Sequence, residues 1–176
     1  RRYAYGRQPD IGAWNCLKLA EALFPLVKTT SVLQHGLEQY RRVFEQRYAG
    51  LRAAKLGYEE LTEGGAASIN QLTKLFRRSE VDLTLFYRLL TQLSREGCDR
   101  PALEDLLSAF YRIPDGQLAK DWSEWLHLHS RVWKDTDNQQ STALMMRQNP
   151  AIVFRNYIAH NIITAAEAGD FAPIED

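Results

Sequence analysis

An all-α fold is predicted, and three observations predict it. Apolar residues recur at three- and four-residue steps along almost the whole chain, and no segment of any length alternates strictly as a half-buried strand does. The breaks between periodic stretches carry helix caps, prolines and glycines. Seven or eight packed helices with short connectors account for the 176 residues. There is no repeat of constant period and no low-complexity linker, so 1–176 reads as a single helical domain.

Each element follows from its own residues. Gln8-Pro9-Asp10 reads as a stop followed by an N-cap, and Trp14, Leu17, Ala20, Phe24 and Val27 then mark one buried, aromatic-rich face. Pro25 kinks or ends this helix. From Ser31, the positions Leu33, Leu37, Tyr40, Phe44, Tyr48 and Leu51 predict the longest helix, with Arg41, Arg42, Arg47 and Arg52 between them. Gly57 and Gly64-Gly65 mark a loop, after which Leu72, Leu75 and Phe76 predict a short helix ending near Arg77-Arg78. Ser79-Glu80-Val81-Asp82 has capping-box character, and Leu83, Phe86, Leu90 and Leu93 line the next face up to Gly97-Cys98-Asp99. Pro101 suits a first helical position, and Leu103, Leu106, Leu107 and Phe110 carry a short helix to the turn Ile113-Pro114-Asp115-Gly116. Leu118, Trp122, Trp125, His129 and Val132 or Trp133 share one stripe, closed by a polar break at Asp135 to Asn138. A helix over Thr142 to Met146 stops at Asn149-Pro150, and a last one runs from Ala151 to about Ala168, capped by Gly169. The acidic tail Ile174-Glu175-Asp176 follows.

Composition excludes several classes. Lys and Arg number 22 and Asp and Glu 22, for zero formal charge, so neither nucleic acid nor a membrane surface is expected as a partner. With 45% hydrophobic and 11% aromatic residues, the chain can bury enough to fold. Cys16 and Cys98 stand far apart without CxxC spacing, which fits reduced thiols in a cytoplasmic compartment better than a disulfide framework or zinc. No apolar run approaches the length of a membrane span, and the opening Arg1-Arg2-Tyr3 has neither a methionine nor a signal-peptide stretch. The chain reads as a piece of something longer.

The residues that could carry chemistry have plain structural explanations. His127 and His129 lie two apart on a helix and point about 200° from each other, so they cannot share a metal. One reads as a core-edge histidine and the other as solvent-facing. The carboxylate pairs Glu59-Glu60 and Asp135-Asp137 sit at helix ends or loops, where capping and solvation explain them. GxGxxG, GxxxxGK[ST], GxSxG and HExxH do not occur, and Gly64-Gly65 is read as a turn. The arginines between Arg41 and Arg52 could hold phosphate groups, but Glu38 and Glu45 offset part of their charge at helical spacings, which favours a solvated face. Trp14, Trp122, Trp125 and Trp133 stand at core spacing.

Three blocks together resemble one family. The first is Arg2-Tyr3-Ala4-Tyr5, Gln8-Pro9-Asp10-Ile11, Trp14-Asn15-Cys16-Leu17, Leu19-Ala20 and Ala22-Leu23-Phe24-Pro25-Leu26. The second is Arg52-Ala53-Ala54-Lys55-Leu56-Gly57. The third and most specific is Asn149-Pro150-Ala151-Ile152-Val153-Phe154-Arg155-Asn156-Tyr157-Ile158-Ala159, followed by Ala165-Ala166-Glu167-Ala168-Gly169-Asp170. In order and separation these are similar to the selenoprotein O (SelO, YdiU-type) family, and the likeness spans essentially the whole chain. His160 departs from it, standing where the family more often has glutamine.

The resemblance implies a protein-kinase-like (pseudokinase) fold and a parent enzyme that binds ATP in a flipped orientation. Such a parent moves AMP, or in some bacterial members UMP from UTP, onto Ser, Thr or Tyr of target proteins, with Mg or Mn ions. It implies also that the glycine-rich loop, the ATP-contacting lysine and arginines, the catalytic Asp-Asn pair and the metal-binding Asp all precede the first block. No catalytic, cofactor-binding or metal-binding residue is therefore assigned within 1–176, and no cofactor is expected in this chain. The implied partners are the protein substrates and the missing N-terminal part of the same protein. The family's C-terminal extension with its Cys-x-x-Cys or Cys-x-x-selenocysteine pair has no counterpart within 1–176.

In this reading the chain is the helical remainder of the C-lobe and its role is support, with the isolated piece inactive. Trp14, Leu17 and Phe24 would anchor the first helix against the lobe core, and Arg155 and Asn156 would bond buried carbonyls or loop ends. The rival reading is a stand-alone helical scaffold that binds protein partners through an aromatic face. A glycine-rich loop and an Asp-Asn pair encoded upstream would separate the two.

Overall fold

Local sequence rules decide where each helix begins and ends. In the computed structural model, which describes residues 4–134, 136 and 138–174, α1 spans Gln8–Val27, α2 Thr30–Lys55, α3 Glu63–Arg78, α4 Leu83–Arg95, α5 Gly116–Lys134, α6 Asn138–Gln148 and α7 Asn156–Glu167. Shorter 3₁₀ segments cover Tyr5–Arg7, Leu103–Ala109 and Ala172–Ile174. Among the described residues no strand forms, and only Val81 and Phe110 make an isolated bridge. The fold is all-α. The predicted carboxylate pair Asp135-Asp137, and Glu175-Asp176 of the acidic tail, lie outside the described residues.

The caps explain where the boundaries moved. Thr62 caps α3, its hydroxyl accepting from the Gly65 N–H at 3.1 Å, so Gly64-Gly65 form the first helical turn rather than a loop. Asp82 caps α4 through Thr84 and Leu85, at 3.0 and 3.1 Å. The segment Leu103–Ala109 winds as 3₁₀ rather than α, its first turn tied by Asp105, whose carboxylate accepts from the Ala102 N–H at 2.8 Å. Pro25 sits in the last turn of α1 without stopping it, and Lys28 ends the helix at φ 55°. α6 starts four residues earlier than the apolar pattern showed, at Asn138. α7 starts later than expected, because the chain from Ala151 to Arg155 has no helical turn and enters α7 through an extended Arg155. Pro150 cannot continue α6, and Ile152-Val153 favour extended backbone. At the far end of α7, the Gly169 and Asp170 N–H groups bond Ala166 and Ala165 carbonyls, the cap predicted there.

The core lies in the middle of the chain. α3 packs on α5, α4 on the 3₁₀ segment and α6, and the end of α2 on α6. Trp122, Trp125, Phe86, Leu90, Leu106 and Met145 are fully buried there. The aromatic stripe of α5 divides as expected, with His129 and the tryptophans inward and His127 exposed.

The first helix does not join this core, contrary to the anchoring role expected of Trp14, Leu17 and Phe24. They are 43%, 41% and 46% exposed, no residue of α1 is buried, and α1 packs on α2. The physical reason is that α2 is long enough to carry α1 beyond the core: its buried contacts come only at its last turns, around Ala53. Along the rest of α2, Tyr40, Phe44 and Tyr48 stack successively at 6.3 and 5.7 Å.

Candidate functional site

Two of the three sequence blocks meet where α2 and α6 end side by side. The closing carbonyls of a helix have no partner within it, so each helix end needs donors from outside. The Asn149 side chain, almost fully buried, donates to the Lys55 carbonyl at 2.9 Å and to Thr91 Oγ1 at 3.1 Å. Lys55 Nζ reaches the other way, to the Gln148 carbonyl at 3.1 Å and Asn149 Oδ1 at 3.3 Å. Each helix thus caps the other. Lys55 Nζ also stands 4.9 Å from the centre of the Tyr87 ring, and burial lowers its pKa from the ordinary lysine value.

The same corner is closed by a glycine. Gly57 (φ +78°) and Tyr58 end α2 by donating to Ala54 and Ala53, and a Cβ on Gly57 would lie 2.3 Å from Ser141 Oγ and 2.9 Å from Trp133 Nε1. No larger residue fits. Ser141 fills that space with bonds, accepting from Trp133 Nε1 at 2.7 Å and donating to the Gly57 carbonyl at 2.7 Å. One turn earlier on α2, Arg52 donates to the Ile69 carbonyl at 2.9 Å and to Thr73 Oγ1. Arg52 is therefore a structural tie to α3, whereas Arg41, Arg42 and Arg47 are exposed as the solvated-face reading expects.

A second polar cluster lies inside the core. His129 stacks on Trp125 at 5.2 Å, with Trp133 at 4.8 Å. Its Nδ1 is 2.7 Å from Tyr58 Oη, which in turn is 2.9 Å from Ser68 Oγ. Trp125 Nε1 donates to the Ser68 carbonyl at 3.0 Å. Burial pushes the His129 imidazole down to about 3 and the Tyr58 phenol well up, so both are neutral at pH 7. A histidine so held is no general base near neutrality.

Of the two ends expected for Arg155 and Asn156, buried carbonyls or loop ends, Arg155 takes the second: 43% exposed, it donates at 2.7 Å to the carboxylate of Asp82, the loop end that caps α4, whereas Asn156 is exposed. The Leu85 N–H and then Arg155 hold the Asp82 carboxyl below the usual range. Among the described residues no group of three or more His, Cys, Asp or Glu could hold a metal ion. Cys16 and Cys98 are free, and among the described residues no helix is long and apolar enough to cross a membrane.

Sequence reading did not find the capping exchange between Lys55 and Asn149, although both stand inside quoted blocks. The available signal was small polar residues on apolar faces, Ser68, Thr91 and Ser141 among them, because a buried polar group needs a partner. Replacing Asn149 by alanine is expected to lower the unfolding free energy by about 2–3 kcal/mol, since it leaves the Lys55 carbonyl and Nζ short of partners. Urea unfolding of both proteins measures it; a loss below about 0.5 kcal/mol would show that solvent replaces the bonds.

Fold and site together define an all-α module whose polar chemistry is spent on joining helices. Residues 1–176 match the family described as protein adenylyltransferase SelO, and the chain belongs to that nucleotidyltransferase family. Similar relatives are the protein nucleotidyltransferases YdiU of Aromatoleum aromaticum and of an Azoarcus species. The first is 36% identical over 179 residues, which is 100% of this chain and 34% of the relative, and the second 40% over 177, which is 99% and 34%. A third, from Tolumonas auensis, is 37% identical over 178 residues, again 34% of its length. The chain spans about a third of the curated relatives it matches.

Proposed function

We propose that this chain is the C-terminal, helical support of a kinase-like protein nucleotidyltransferase acting in the cytoplasm. The whole enzyme would transfer AMP from ATP, or UMP from UTP, to Ser, Thr or Tyr hydroxyls of target proteins, with Mg or Mn. The nucleotide and metal would be held by residues outside 1–176. The observation that carries this reading is that Lys55 and Asn149, one from each of two family blocks, cap each other's helices at the α2–α6 corner. Transfer of a nucleotidyl group needs metal ligands and cationic donors held to about 0.5 Å, and a rigid helical layer beneath them supplies that.

The test is to give the full-length protein and the 1–176 chain α-labelled ATP or UTP, with Mg or Mn and acceptor protein. Label should pass to protein with the full-length enzyme and not with 1–176. ATP with Mg or Mn should also leave the melting temperature of 1–176 unchanged, because a ligand stabilises only what it binds. A rise that grows with ATP concentration would overturn the reading.

A further inference from the structure

A broad apolar face on a helix is normally covered. α1 has one: its charged residues Asp10, Lys18 and Glu21 share one half of its circumference, and Lys18 pairs with Glu21 at 2.6 Å. One side faces α2 across a groove of about 570 Å³ that includes Trp14, Leu17 and Phe44. Another side carries Leu19, Leu23 and Leu26 at steps of four and three, 60%, 38% and 80% exposed. Within the described residues α1 packs on α2 and the 3₁₀ turn before it, leaving that leucine stripe open.

We infer that the leucine stripe of α1 is an intramolecular docking surface, covered by polypeptide of the same protein lying outside residues 1–176. This rests on the reading of the chain as part of a longer nucleotidyltransferase. Length on the page supports that occupant: about two thirds of each relative lies outside the matched segment, while the match itself includes α1. The core around α3 and α5 is closed without α1, so burial of its own apolar surface gives this helix no reason to be leucine-rich on the open side. A lipid surface suits it poorly, since Lys18 is already paired and the chain carries no net positive charge.

Hydrogen exchange of the full-length protein tests this directly. Amides of Leu19 to Phe24, and of Leu26, should exchange at least about 100-fold slower than in an unstructured peptide, as core amides do and uncovered helices do not. Light scattering at the same concentration should give a monomer, and Lys18 or Lys28 should cross-link to lysines outside 1–176. Exchange within about tenfold of the unstructured rate would overturn the proposal. So would a dimer in which α1 cross-links to α1 of a second copy. These readouts do not depend on catalysis. Protected amides with no label transfer would sink the proposed function alone, and label transfer with unprotected amides would sink this inference alone.

Discussion

Trp122→Ala should lower the unfolding free energy by about 3–5 kcal/mol, the range for deleting a large aromatic from a packed core. Trp122 has no solvent exposure and touches rings on every side: Phe76 at 5.8 Å, Phe86 at 5.5 Å, Phe110 edge-on at 5.1 Å and Trp125 edge-on at 5.9 Å. Those rings come from α3, α4, the end of the 3₁₀ segment and α5, so the cavity would open where four elements meet. Collapse into it is hindered because each neighbour is held by a different helix. Trp122 Nε1 also donates to Ser79 Oγ at 3.0 Å, and the alanine strands that acceptor. Trp14→Ala is the matched comparison, because that ring is half exposed and lies off the core. Equilibrium unfolding of the two variants should separate them by at least about 2 kcal/mol. Equal losses would mean that α1 is packed as tightly as α5.

That comparison shows what the sequence could and could not reveal. Trp14 and Trp122 stand at the same helical spacing beside leucines, and periodicity reads both as core, since a pattern of three and four reports only that one face is apolar. It does not say what covers the face. In α5 the cover is α3 and the 3₁₀ segment, with Phe86 of α4 against the tryptophans; for α1, the described chain supplies α2 and the short 3₁₀ turn before it. The helix count and most ends were legible because they rest on local chemistry: Asp82 at an N-terminus, Gly57 and Gly169 at C-termini. The late start of α7 was less so, since Pro150 announces the end of α6 without saying how far the extended stretch runs.

The capping exchange between Lys55 and Asn149 was illegible for another reason. The two residues are 94 positions apart, and nothing in either stretch names the other. Only the fold brings a lysine at one helix end within reach of an asparagine at another. The resemblance marked both blocks as belonging to one family, and the geometry supplies a physical link between them: Asn149 Nδ2 caps α2 and Lys55 Nζ caps α6, so losing the Asn149 side chain takes the donor from the end of α2 and one acceptor from Lys55.

The second large effect is a loss of stability in acid that His129 controls. Its imidazole is fully buried between Trp125 and Trp133. Nδ1 shares a proton with Tyr58 Oη at 2.7 Å, and Nε2 has no partner among the described residues. A proton on Nδ1 is the favoured tautomer, because it leaves an unpaired acceptor at Nε2 instead of an unpaired N–H, and buried orphan N–H groups are the rarer. Tyr58 then accepts from His129 and donates to Ser68.

Adding a second proton would place a charge in that apolar cage, so the folded pKa falls to about 3 while the unfolded chain keeps the ordinary 6.5. The sign follows. Above pH 6.5 neither state takes the proton and His129 adds no pH dependence. Between 6.5 and 3 the unfolded chain binds it and the folded one does not, so stability falls with falling pH, by at most about 1.4 kcal/mol per unit. The depressed Asp82 and Asp121 carboxyls add their own losses only at lower pH. Urea unfolding at steps between pH 6.5 and 5 therefore isolates the histidine. His129→Gln is expected to be less stable at pH 7 yet to flatten the slope in that window by about 1 kcal/mol per unit. Parallel slopes for the two proteins would mean that His129 takes up its proton in the folded state, and that water reaches the centre of the α3–α5 core.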